Sequence, residues 1–189
     1  MRYALATLAA LIVSAPAAAA DVYVSDPAHT MAYFQTGHLG IAWIHGRFKD
    51  VEARITLDRA TKQGSIEAVI KTATLDTGFE ARDKQVRSED YLDVEKFPTM
   101  TFKSSGLKFD GDKLAGADGE LTIQGVTHPV TLEIPQFRCI THPARKVEVC
   151  GAEARATIKR AQWGVKRGAN PPLGDEVRIT IQIEAYKQP

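Results

Sequence analysis

Apolar and polar residues alternate with a period of two along most of the chain. In VEARITLD, Val51, Ala53, Ile55 and Leu57 fall on one side, with Glu52, Arg54, Thr56 and Asp58 on the other. The pattern returns with Ile66, Ala68 and Ile70 in SIEAVIKT, where Val69 breaks it, and with Leu121 and Ile123 in ELTIQG. It recurs with Val130, Leu132 and Ile134 in VTLEI, and with Val177, Ile179, Ile181, Ile183 and Ala185 near the end. Successive side chains of a strand point to opposite faces, so this period marks half-buried strands. Turn-forming clusters, such as DRATKQGS, FDGDK and THPARK, separate the runs. The pattern predicts eight strands, over 30–39, 43–58, 65–76, 100–109, 113–123, 128–138, 147–160 and 175–187.

Short connections favour antiparallel neighbours. A sheet with one apolar face and no helices to cover it can hide that face by closing on itself. The expectation is an all-β fold, an eight-stranded antiparallel up-and-down barrel. Such a barrel is just wide enough to be filled by side chains or to hold one small ligand. A two-sheet sandwich satisfies the same pattern.

One segment departs from it. FEARDKQVRSEDYLDVEKFP, residues 79–98, lies between the third and fourth predicted strands and is strongly charged. Glu80 with Lys84 and Asp83 with Arg87 are opposite charges at i, i+4, which suits an exposed helix. Asp76 or Thr77 offers a cap, and Pro98 ends the segment. Phe79, Val86 and Leu92 give only a sparse apolar stripe. The segment is therefore read as one short helix lying over a rim of the barrel, with its charges outward.

The first twenty residues read differently again. Arg2 precedes the apolar run ALATLAALIVSA, and Ala18, Ala19 and Ala20 precede Asp21. This is the pattern of a secretory signal peptide over 1–20. A membrane-spanning helix needs about 20 strongly apolar residues, and no later stretch approaches that length. Residues 21–189 are then a single domain, periplasmic or secreted, with no integral membrane segment. Without Arg2, Lys+Arg and Asp+Glu balance at 23 each, so charge gives no reason to expect nucleic acid or an anionic membrane as partner. A neutral surface permits a homodimer without calling for one. The two cysteines, Cys139 and Cys150, lack CxxC spacing and in an exported chain predict one structural disulfide.

Candidate chemistry is sparse. His29, His38, His45, His128 and His142 form no HxH or HExxH spacing, and no GxSxG elbow singles out a nucleophile. No catalytic residue and no metal site are expected. The apolar faces carry no charged residue, and GAEARATIK sets Ala152, Ala154 and Ala156 side by side on one of them. Three small residues either leave room for an apolar ligand or are packed over by larger neighbours. Both readings stand at this point.

Several segments together resemble the YceI family of exported, lipocalin-like polyisoprenoid-binding proteins. VSDPAHTMAYFQTGHLGIAWIHGRFKDVEARI is similar to that family's opening, with Asp26, His29, His38, Gly40, Gly46 and Phe48 at its characteristic places and Thr30 where Ser is commoner. ATLDTGFEARDKQVRSEDYLDVEKFPTMTF, GELTIQGVTHPVTLE and ATIKRAQWGV resemble three further blocks. The resemblance implies one YceI-like β-barrel domain enclosing an apolar tunnel. It further implies an isoprenoid lipid or isoprenoid quinone as partner, with no cofactor beyond that ligand. Strand parity, rather than the family, nominates the ligand-binding positions: Phe34, Ile55, Ile66, Ile70, Phe102, Leu121, Ile123, Leu132, Ala154, Ala156, Ile179 and Ile181. The expected function is binding or carriage of a long apolar chain, not catalysis. Two rivals are a ligand-free stress or interaction protein with a packed barrel, and an enzyme using His38, His45 or His128 as acid or base.

Overall fold

The computed structural model describes residues 20–170 and 172–189. The leader expected over 1–20 lies outside the described residues but for Ala20. Eleven strands appear among them: β1 Asp21–Ser25, β2 Met31–His38, β3 Ala42–Phe48, β4 Val51–Asp58, β5 Gln63–Lys71 and β6 Leu75–Asp76. After the helix α1, Glu80–Arg87, come β7 Thr99–Asp110, β8 Lys113–Ile123, β9 Val126–Thr141, β10 Glu148–Lys159 and β11 Glu176–Lys187.

The wall runs β1-β4-β5-β7-β8-β9-β10-β11, every pairing antiparallel, and β11 pairs back onto β1. This is the closed eight-stranded barrel. β11 is shared along its length: Ala185, Tyr186 and Lys187 pair with β1, while Val177 through Gln182 pair with β2. β1 and β2 therefore act as one long strand interrupted by a turn at 26–30.

β3 and β4 are related in the same way, so the continuous strand expected over 43–58 is in fact two. The break falls at Lys49 and Asp50, whose backbone N–H groups both donate to Thr74 Oγ1 at 3.2 Å instead of to a strand. The first strand also begins earlier than expected, at Asp21 rather than residue 30. The stretch expected as one strand over 65–76 ends at Lys71, turns through Thr72–Thr74 and resumes as the two-residue β6.

Chain direction sorts the connections onto two ends. The lidded end carries the β2–β3 turn, the insert 72–98, the turn at Gln124 and Gly125, and the segment 160–175. The hairpin end carries the turns 59–62, 111–112 and 142–147, together with the start of β1 and the end of β11.

At the lidded end Leu75 is fully buried, and Val86, Tyr91 and Leu92 of the insert pack onto the core. Here the helix differs from expectation. Neither Asp76 nor Thr77 caps it; Phe79 sits at the N-cap without a side-chain hydrogen bond. Asp83 is buried rather than outward, accepting from Thr77 N–H at 2.9 Å and from Thr77 Oγ1 at 2.5 Å. Arg87 donates to the Leu75 carbonyl. A buried carboxylate needs such partners, and the strand-to-helix turn supplies them.

The second plug is Trp163, on a 3-10 turn spanning Arg160–Trp163. Its indole is buried and donates to the Leu121 carbonyl at 2.9 Å. The turn closes on Gly164 at φ 87°, a left-handed conformation that side-chain-bearing residues rarely adopt. The two ends thus close by different means, and the space between them is where the interior is not fully packed.

Candidate functional site

Between the lid and the hairpin end the barrel encloses a cavity of about 120 Å³. Each wall strand contributes by alternation: Val51, Ala53, Ile55 and Leu57 from β4, Ile66, Ala68 and Ile70 from β5, and Phe102 from β7. Leu114 and Leu121 come from β8, and Val130, Leu132, Ile134 and Phe137 from β9. β10 supplies Cys150, Ala152, Ala154 and Ala156, and β11 supplies Ile179, Ile181, Ile183 and Ala185. Tyr23 of β1 completes the lining, which contains no charged residue. An apolar space of this kind favours a hydrocarbon over water, because it offers water no partners.

Ten of the twelve residues nominated from the sequence line this space: Ile55, Ile66, Ile70, Phe102, Leu121, Leu132, Ala154, Ala156, Ile179 and Ile181. Phe34 and Ile123 lie off it. Phe34 packs on Phe48 with ring centroids 5.6 Å apart and covers Gly46, where a Cβ would fall 2.3 Å from the ring. Ile123 ends β8 on the lidded side and is buried in the core. His38, His45 and His128 are not among the lining residues. His128 stands instead edge-on to Trp163, with its Nε2 3.0 Å from the Gln162 carbonyl.

Tyr23 and Phe137 were not nominated. Tyr23 belongs to β1, the strand that begins before the first predicted one. Phe137 breaks the even-numbered parity of Val130, Leu132 and Ile134. Glu153 pairs with Gln136 while Arg155 pairs with Glu133, so Ile134 and Pro135 together face Ala154. This β-bulge turns odd-numbered residues inward beyond it. A proline inside a strand pattern is the signal that locates it.

Polar groups enter at the hairpin end. Tyr23 Oη donates to Glu148 Oε1 at 2.5 Å, and Arg59 Nη2 donates to the same oxygen at 2.8 Å and to Tyr23 Oη at 3.1 Å. Arg59 Nη2 also lies 3.0 Å from Cys139 Sγ and 3.4 Å from Cys150 Sγ. Those two cysteines, directly paired between β9 and β10, form the expected disulfide with Cα atoms 4.0 Å apart. Burial, then the hydrogen bond to Glu148, pushes the Tyr23 phenol well above its ordinary pKa, against the opposing field of Arg59. The hydrogen bond from Arg59 holds the Glu148 carboxyl below its ordinary value.

A wider open groove of about 780 Å³ runs outside the wall, over β9, β10, β11 and β2, with His29, Arg138, His142 and Glu153 on it. At its edge His29 Nδ1 and Asp26 Oδ2 lie 2.7 Å apart, with Glu184 Oε2 3.8 Å from the same nitrogen. Asp26, His29 and Glu184 form one of two clusters of metal-ligating side chains among the described residues. The other is Cys139, Glu148 and Cys150, whose sulfurs are tied in the disulfide. Both clusters lie away from the apolar space that the barrel's alternation builds.

The same architecture occurs in known proteins. The Campylobacter jejuni YceI protein has a crystal structure that superposes with a TM-score of 0.70 at 26% identity, covering 80% of this chain and 90% of that one. A polyisoprenoid binding domain from Saccharophagus degradans, at 14% identity, shares the fold with a TM-score of 0.62 over 88% of this chain and 98% of its own. In sequence, the YceI protein of Escherichia coli O157:H7 is 36% identical over 185 residues, which are 96% of this chain and 95% of that one. The model of the YceI-like domain matches residues 23–185, from the tyrosine of β1 to the last inward alanine of β11, and this chain belongs to that family.

Proposed function

We propose that this protein is an exported binding protein that holds the apolar chain of an isoprenoid lipid inside its barrel. The observation that carries this reading is the cavity itself, walled by all eight strands without a charged side chain. Membership of the YceI-like family and the polyisoprenoid-binding description of the Saccharophagus degradans domain support the class of ligand. The leader-like sequence over 1–20 supports export. Each buried CH₂ contributes roughly 0.8 kcal/mol, so a long tail is held without a strong polar anchor. Binding, rather than catalysis, is the role that such a lining suits.

The size of the cavity favours a second reading, the packed barrel. An apolar space of roughly 150 Å³ takes up benzene, so about 120 Å³ admits five or six carbons as it stands. A longer chain enters only if side chains such as Phe102 and Phe137 swing aside. Native mass spectrometry of protein purified from its source without detergent, followed by organic extraction, separates the two. A stoichiometric adduct with an isoprenoid fragmentation pattern is expected. A mass that stays bare after incubation with polyprenols and quinones would overturn the carrier reading. Ala156→Phe fills the cavity from β10 and should abolish the adduct at an overpacking cost of about 1–3 kcal/mol. A folded variant that keeps its ligand would show that the chain binds elsewhere.

A further inference from the structure

The alternation that makes the cavity apolar does not stop where the apolar residues stop. On β4 the inward series Val51, Ala53, Ile55, Leu57 leads at the next inward step to Arg59, the first residue of the turn. On β10 the series Ala156, Ala154, Ala152, Cys150 leads to Glu148, the first residue of that strand. Tyr23 lines the cavity with its ring and points its hydroxyl at both. The three polar groups meet at the hairpin end of the apolar space.

A depression of about 450 Å³ opens outside them, with Arg59, Phe137 and Cys139 on its wall. Phe137 lines both spaces and stands between them. Arg59 and Glu148 are half-buried, with 41% and 31% of their side-chain surfaces exposed, so the pair is reachable from outside.

We propose that Tyr23, Arg59 and Glu148 form a head-group subsite at this end of the cavity, and that it selects isoprenoids with an uncharged hydroxyl or carbonyl head over those ending in a phosphate. The inference rests on the isoprenoid reading above and adds to it the chemistry of the head. Arg59 is the natural anchor for an anion, but its charge is already taken by Glu148 at 2.8 Å. Around the depression, Lys113 and Arg138 are likewise balanced by Asp110 and Asp112. A phosphate would meet a carboxylate at contact distance in a half-buried site, which is costly. A hydroxyl can accept from the guanidinium and donate to Glu148, and a carbonyl can accept from the guanidinium.

The test is displacement of the apolar fluorophore N-phenyl-1-naphthylamine from the purified protein by farnesol and by farnesyl monophosphate, which share one chain. Farnesol is expected to displace the probe at about tenfold lower concentration, the scale of one like-charge contact. Glu148→Gln frees Arg59 and should tighten farnesyl monophosphate about tenfold while changing farnesol little. Circular dichroism confirms that the variant folds, and the wild-type ratio decides the matter if it does not. Equal displacement by both lipids would overturn the subsite and leave the isoprenoid reading standing. Failure of both lipids to displace a bound probe would sink the isoprenoid reading, and the subsite with it.

Discussion

The two ends of this barrel are closed by opposite chemistry. At the lidded end Leu75 and Trp163 are buried, and the polar groups beside them are spent internally: Trp163 on the Leu121 carbonyl, Asp83 on Thr77, Arg87 on the Leu75 carbonyl. At the hairpin end an arginine, a glutamate and a phenol meet beside a disulfide, and two of the three remain partly in water. The difference teaches where stability and adaptability are placed. An apolar plug is cheap to keep and expensive to open, because opening it exposes hydrocarbon and orphans buried donors. A half-exposed ion pair contributes little to stability, so rearranging it costs little. A barrel that must admit a ligand can be firm at one end only if the other end yields.

The sharpest way to break the contrast is to remove the plug. Trp163→Ala deletes the indole and leaves the Leu121 carbonyl without its donor, and should destabilise the fold by about 3–5 kcal/mol. Chemical denaturation followed by circular dichroism checks it. A loss below about 1 kcal/mol, the scale of a surface change, would mean that the lid is not what holds the barrel.

At the opposite end, replacing both Cys139 and Cys150 by Ser removes a cross-link spanning 11 residues of sequence. The expected cost is about 2–3 kcal/mol from chain entropy alone. Denaturation with and without reductant should give the same loss in the wild type and none in the double variant.

The smallest effect comes from acid. Glu148 has its pKa lowered in the folded protein, chiefly by the Arg59 hydrogen bond. Its contribution is therefore complete above the unfolded value of about 4.3 and fades as pH falls through the lower folded value. Amide exchange at Val149 and Cys150 should accelerate below that point, and Glu148→Gln should remove the dependence. Exchange in the lid that rose equally, and by the same amount in the variant, would show that the two ends do not titrate separately.

Much of this was legible in the alternation. The barrel, its antiparallel order and ten of the cavity-lining positions follow from reading every second residue. What escaped did so for physical reasons. Arg59 and Glu148 occupy inward positions but are charged and sit at strand ends, so local composition reads them as turn. Tyr23 stands in a five-residue strand that pairs only with β4 and β11, partners distant in sequence. Asp83 looked solvent-facing because its i, i+4 neighbour is Arg87. Its actual partner, Thr77, is set by the path of the strand-to-helix turn, which local charge spacing does not encode.

The bulge at Ile134 and Pro135 has a consequence for how this barrel can change over generations. Beyond it, β9 turns Phe137 and Cys139 inward, where one bounds the cavity and the other meets Cys150. Loss of the single codon for Pro135 would restore regular pairing and rotate the outer half of the strand by one face. Phe137 and Cys139 would then look into solvent, and Gln136 and Arg138 into the barrel. One event would thus unmake the staple, unseal the cavity and place a charge inside it. Substitutions elsewhere along β9 can be sampled one at a time, but its length cannot.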